Sequence, residues 1–492
     1  MRARIAAAAR LAAYACAAYI AATTSIFAWR GSLFVATADA WGFVATFLAR
    51  YYDGTLTLAD FFAKRNGLDH AQPLQKLLFL AYARFLDLDF TYETATGLVF
   101  GVAFIAVIVW IVRADTKGEP LARPVVALTT LGITAVVLTL NDEGVFDWSL
   151  ATLSLFYPLG VALMLAFAHR CITRDAPLRL AAATLVACLL LDTSAILAAA
   201  AIVALIALRR RTFATPRTPL RLAAAIAVVV VAYVVGYALA FPDVEPGGLA
   251  IGARLGILVV HAGDAWKAIV IPLGAVIASP HRIKVMHGVG AFWTWLVPAA
   301  LLVAAGHVWF WREIVRRDDS RLAFVAAGLM LFFYATLVGI LWGRVPRYGF
   351  DYFMQSRYLV FYMLQLVAML MLAASNAARS ERSADPFAAY AAAVVVLASA
   401  AIVYGRSLDI PANVNFNGML DAKAIALAEH PEHPPADCPV NHLTLCNWEP
   451  HVRIATLDLM RREELNVFSP RFRERHELPP LPHSLQAPPG AR

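Results

Sequence analysis

Apolar runs of about twenty residues, separated by short turns rich in arginine, set the pattern of this chain. They fall at 11–29, 94–112, 125–140, 150–168, 222–241, 291–311, 322–342, 359–377 and 387–404. A tenth interval, 179–209, is apolar for about thirty residues and interrupted only by Asp192-Thr193-Ser194. Both its flanks are basic, so it reads as two short helices folded into a hairpin with the polar triplet at the tip. The total is about eleven crossing segments, each long enough or nearly so for a hydrocarbon layer of roughly 30 Å. Alanine and leucine dominate these runs without ten-residue alternation, which predicts helices and not a membrane barrel.

Three stretches break the pattern. Residues 30–92 form a long first loop without one full apolar span, and within it 74–88 carries Gln75, Lys76, Arg84 and Asp87 at intervals that predict an interfacial helix. Residues 249–277 are apolar but interrupted by Arg254, His261, Asp264 and Lys267. Counting them as a full span would put Arg312, Arg316, Arg317 and Arg321 on the wrong side, so a re-entrant or interfacial pair is expected. Residues 406–492 form a polar, proline-rich tail whose last ~15 residues read as disordered.

Composition agrees: 60% of the 492 residues are hydrophobic and 15% charged, more apolar surface than one water-soluble core can bury. The fold class expected is therefore an all-α membrane protein, with residues 1–405 as the helical domain and a small tail outside it. The net charge of +8 lies in the turns, where the positive-inside rule places it, so it points to orientation and not to nucleic acid. With Arg2, Arg4 and Arg10 in the cytoplasm, the 30–92 loop and the tail face the periplasm of a bacterial inner membrane. Of five cysteines, Cys438 and Cys446 share the tail, and an oxidising compartment would favour a disulfide between them.

On this topology the outer face gathers Asp39, Asp53, Asp69, His70, Asp142, Glu143, Asp147, Arg344, Arg347 and Arg357. Carboxylates serve as general bases or as oxygen ligands, and arginines clamp phosphate bidentately. Structural alternatives stand beside each: Asp39 also fits the cap of an interfacial helix, Asp69-His70 before Pro73 a local turn, and Asp142-Glu143 a solvated one. Arg344 and Arg347 equally suit lipid head groups, whereas Arg357-Tyr358 opens a span, where an arginine needs a partner.

The long first loop with Asp39, the acids of the third turn, the short helix hairpin, and Gly343-Arg344 followed by Ser356-Arg357-Tyr358 together resemble the polytopic glycosyltransferases of the C-type fold. The resemblance implies an inverting transferase that moves a sugar from a polyprenyl-phosphate donor to a cell-envelope acceptor. It casts Asp39, Asp69, His70, Asp142 and Glu143 as catalytic candidates, and Arg344, Arg347, Arg357 and Tyr358 as the donor-phosphate site. Asp39, Asp142 and Glu143 would be the oxygen donors for a divalent cation such as Mg or Mn. A transporter or flippase, or an envelope scaffold acting through the tail, are the competing classes. The first would place charge near mid-membrane in two repeated halves; the second should fail when 406–492 are deleted.

Overall fold

The computed structural model describes residues 2–63, 71–209, 217–241, 250–316, 320–379 and 385–479. Among them the chain is helical and forms no strand. Eight helices are long and apolar enough to cross a membrane, or up to nine if one bent pair counts as a span. The expected third, fifth and sixth segments are shorter: Ala122–Val137, Pro177–Leu191 and Thr193–Leu208 have 16, 15 and 16 residues. At 1.5 Å per residue a 16-residue helix reaches only about 24 Å.

The helices alternate in direction. Arg221 pairs with Asp175 at one end of the bundle, and Tyr233, twelve residues on, donates to Asp192 at the other. The second end collects the first loop, the 138–148 turn, the Asp192 tip, the 344–358 turn and the tail. Ala122–Val137 sits at the centre of the bundle, packed by Arg2–Gly31, Thr91–Asp115, Leu359–Ala378 and Asp385–Arg406. Arg217–Ala240, by contrast, lies at the periphery and presents Val228, Val231 and Leu239 outward.

Within the 249–277 interval, Ile251–Val260 and Ala262–Gly274 form a helix pair bent by 67°. Its later helix, Lys267–Gly274, dips into the bundle and ends there, which leaves backbone carbonyls without helical partners in an apolar setting. Three side chains supply the missing donors: Gln365 to Pro272 O (2.9 Å), Asn141 to Ala275 O (2.9 Å) and Tyr404 to Ile277 O (2.6 Å). Asn141 also accepts from the Ser279 N–H at 2.9 Å.

Above the bundle, the first loop and the tail share a second apolar core. Phe34, Trp41, Phe79 and Phe90 pack with Leu420, Leu457, Val467 and Phe472. Asn466 joins the halves: fully buried, it donates to Phe34 O at 2.8 Å and to Leu88 O at 2.7 Å, while its own N–H reaches Asp87 O. Arg471 adds an ion pair to buried Asp89 at 3.5 Å and a bond to Tyr92 OH. Cys438 and Cys446 are disulfide-bonded, with Cα atoms 6.5 Å apart. Of the end expected to be disordered, 478–492, Leu478 and Pro479 are bonded to Arg473 and the rest, 480–492, lies outside the described residues.

In Pro73–Phe85, Gln75 and Lys76 are buried together with Phe79 and Tyr82, while Leu77, Arg84 and Phe85 are exposed. The Lys76 ammonium donates to the carbonyls of Asp60, Phe61 and Ala63, just where the short helix Leu58–Phe62 ends. Burial lowers its pKa to about 8.

Candidate functional site

A cavity of about 340 Å³ opens at the loop end of the bundle. One wall is the start of the Ser149–Thr173 helix, with Trp148, Ser154 and Tyr157. A second is the hairpin tip, with Leu191 and Ser194, and the third is the 344–361 stretch, with Arg344, Tyr348, Tyr352, Arg357, Tyr358 and Phe361. The first loop covers it with Asp39 and Gln72.

Each lining residue has a local reason for its place. Asp39 stands at the start of the helix Ala40–Phe43, yet its carboxylate makes no capping bond to that helix and lines the cavity. The backbone just before it is held by the tail: Ala38 N–H donates to His442 O at 2.6 Å, and Thr444 Oγ1 donates to Ala38 O at 3.0 Å. Gln72 is held in the left-handed region at φ +52, and the preceding Ala71 N–H donates to Asp192 Oδ2 at 2.9 Å. Asp192, itself at φ +49 and buried, thereby latches the loop onto the hairpin tip.

Arg344 follows the last residue of the Arg321–Gly343 helix and precedes the single turn Val345–Tyr348. Arg344 and Tyr348 are four positions apart and share a face. Arg347 is exposed and is not among the cavity-lining residues. Gly349, at φ +75, then reverses the chain through a conformation that side chains disfavour. The reversal stacks Tyr348 on Tyr352, with rings 4.6 Å apart and 15° from parallel.

Arg357 is the hub of the third wall. Its guanidinium hydrogen-bonds Tyr352 OH and lies 5.6–5.7 Å from the ring centres of Trp148, Tyr352 and Tyr358. Behind it packs the turn that carries the acids. A Cβ added at Gly144 would come within 2.6 Å of Ser356 Oγ, so only glycine lets the 142–145 turn seat there. Asp142 accepts from Gly144 N–H at 3.2 Å, and neither it nor Glu143 is among the lining residues. Asp147, on the same turn, is pushed up to about 7 by burial and then by the Glu143 and Asp142 carboxylates.

Of the residues singled out in the sequence, the cavity therefore brings together Asp39, Arg344, Arg357 and Tyr358. Asp142, Glu143 and Arg347 lie outside its lining, and Asp69 and His70 fall outside the described residues. Among the described residues no group of three His, Cys, Asp or Glu side chains is placed to hold a metal ion, so Asp39, Asp142 and Glu143 do not form a common ligand set. Trp148, Gln72 and the Tyr348–Tyr352 stack were not anticipated. The four-residue spacing of the two tyrosines was visible, but Gly349 between them conceals that they stack across a reversal.

The lining carries one carboxylate against two guanidinium groups, a net positive surface with aromatic walls. Such a site can hold a phosphate by charge-assisted bonds and a sugar ring against aromatic faces, with a carboxylate in reach of a hydroxyl. Comparison with known proteins gives no match: no family model, no curated protein and no solved structure is similar to this chain.

Proposed function

We propose that this protein is a membrane glycosyltransferase of the C-type architecture, moving a sugar from a polyprenyl-phosphate donor to a cell-envelope acceptor. The observation that carries the reading is that Asp39, from the first loop, shares one cavity with Arg344 and Arg357, some three hundred residues later. In the proposed reaction Asp39 takes the proton of an acceptor hydroxyl as its oxygen attacks the anomeric carbon. The bond from that carbon to the phosphate oxygen breaks, and Arg344 and Arg357 neutralise the departing lipid phosphate. Attack opposite to the leaving group inverts the anomeric centre. Tyr348 and Tyr352 offer the sugar an aromatic face.

The orientation belongs to the same proposal. Arg113, Lys117, Arg123, Arg170, Arg174, Arg312, Arg316, Arg321 and Arg379 gather at the end of the bundle away from the cavity, which supports a cytoplasmic placement for that end. The cavity and tail would then face the periplasm of a bacterial inner membrane. Eleven crossings follow if the three shorter helices span a locally thinned bilayer.

The test is sugar transfer from a radiolabelled polyprenyl-phosphate hexose into envelope acceptors by purified protein in liposomes. Asp39→Asn should lower turnover by about 10²–10⁴-fold while leaving expression and folding intact. Undiminished transfer by that variant would remove Asp39 from the chemistry.

A further inference from the structure

His307 lies within the span Ala291–Arg316, remote in sequence from every cavity residue, and it is buried where that span meets Arg321–Gly343 and Leu359–Ala378. Its Nδ1 is 2.6 Å from Tyr334 OH and its Nε2 is 2.8 Å from Gln365 Oε1. Trp311 Nε1 donates to the same tyrosine oxygen at 3.0 Å, and Gln365 Nε2 donates to Pro272 O at 2.9 Å. Proton positions along this line follow from its end. The Pro272 carbonyl can only accept, so the amide NH₂ of Gln365 faces it and the amide oxygen faces His307. His307 Nε2 must then carry hydrogen and donate, which leaves Nδ1 to accept from the Tyr334 hydroxyl. All the bonds point one way, from Trp311 to Pro272.

A line of this kind does not carry protons onward, because it stops at a backbone carbonyl. What it fixes is the end of the re-entrant helix Lys267–Gly274, which packs against the Phe350–Met354 turn. Lys267 pairs with Asp351 of that turn at 3.2 Å, and Tyr362, one helical turn before Gln365, donates to Phe353 O at 3.1 Å. The same turn holds Tyr352 against Arg357.

We infer that His307 is a positioning residue: through Gln365 it holds the re-entrant helix, and with it the turn that sets Tyr352 and Arg357 in the cavity wall. The consequence for ligand binding rests on the proposed lipid-phosphate reading; the mechanical link does not. The experiment measures amide hydrogen exchange of the full chain in nanodiscs at 268–278 and 350–358, with 122–137 as reference. His307→Leu should speed exchange in both segments about tenfold, the loss of one buried hydrogen bond, and leave the reference unchanged. His307→Gln, which keeps one donor and one acceptor, should restore wild-type exchange. Tyr334→Phe, a milder change that preserves shape, should give a smaller rise confined to the same segments.

Exchange at 350–358 that is unaltered in both His307→Leu and Tyr334→Phe, or a rise that His307→Gln fails to reverse, overturns the inference. Binding of a short-chain polyprenyl phosphate is measured on the same samples. His307→Leu should weaken it about tenfold, again with rescue by glutamine. If the wild-type protein binds no lipid phosphate, the functional reading fails while the exchange data still decide the role of His307.

Discussion

Arg357 shows how one side chain is made affordable at a membrane surface. A guanidinium there needs compensation for lost water, and it finds three aromatic rings and a phenol oxygen around it. Lysine would keep the charge but lose both the planar stacking and the two-pronged grip on phosphate. Asp147 is the opposite case, a carboxyl for which the surroundings favour the proton. Its folded value of about 7 lies above the ordinary 3.8, so the folded state binds the proton more tightly than the unfolded chain does. The contribution of Asp147 to stability is therefore greatest at low pH and declines as pH rises from about 4 through about 7. Asp147→Asn should flatten that decline in melting curves recorded across this range; a wild-type slope in the variant would contradict the assignment. Asp147 was visible in the sequence as one of three acids in a short turn, but its burial was not, because Gly31, which packs beside it, comes from the far end of the first helix.

Among the elements, the pairing of first loop and tail matters most for the site. Asn466 bridges them through two backbone carbonyls, and replacing it with alanine leaves Leu88 O buried without its donor while Phe34 O keeps only the Phe90 N–H. Asn466→Ala should cost roughly 1–3 kcal/mol, read as a lower melting temperature and as faster proteolysis of 406–479. A variant as resistant as wild type would show that this bridge does not hold the cap. The long spans were legible because twenty apolar residues leave little alternative to a membrane helix, and the hairpin around Asp192 because both of its flanks are basic. The burial of Lys76 was not, since periodicity reports which residues share a face and not what that face meets. Lys76 faces inward to serve three carbonyls that only the fold brings to it.

At the scale of the whole molecule, the tail cannot be treated as a separable appendage. His442 and Thr444 hold the backbone beside Asp39, so deleting 406–492 would disturb the cavity of an enzyme as surely as it would disable a scaffold. That truncation does not separate the two classes, and point changes in the cavity do. The three side chains that anchor the end of the 267–274 helix come from three distant parts of the sequence and carry no local signature. The central claim is that Arg344 and Arg357 form one phosphate site, and binding of a short-chain polyprenyl phosphate to the purified protein measures it directly. Arg344→Ala and Arg357→Lys should each weaken binding by about tenfold or more, and the double variant should lose it. Wild-type affinity in the double variant would contradict the account.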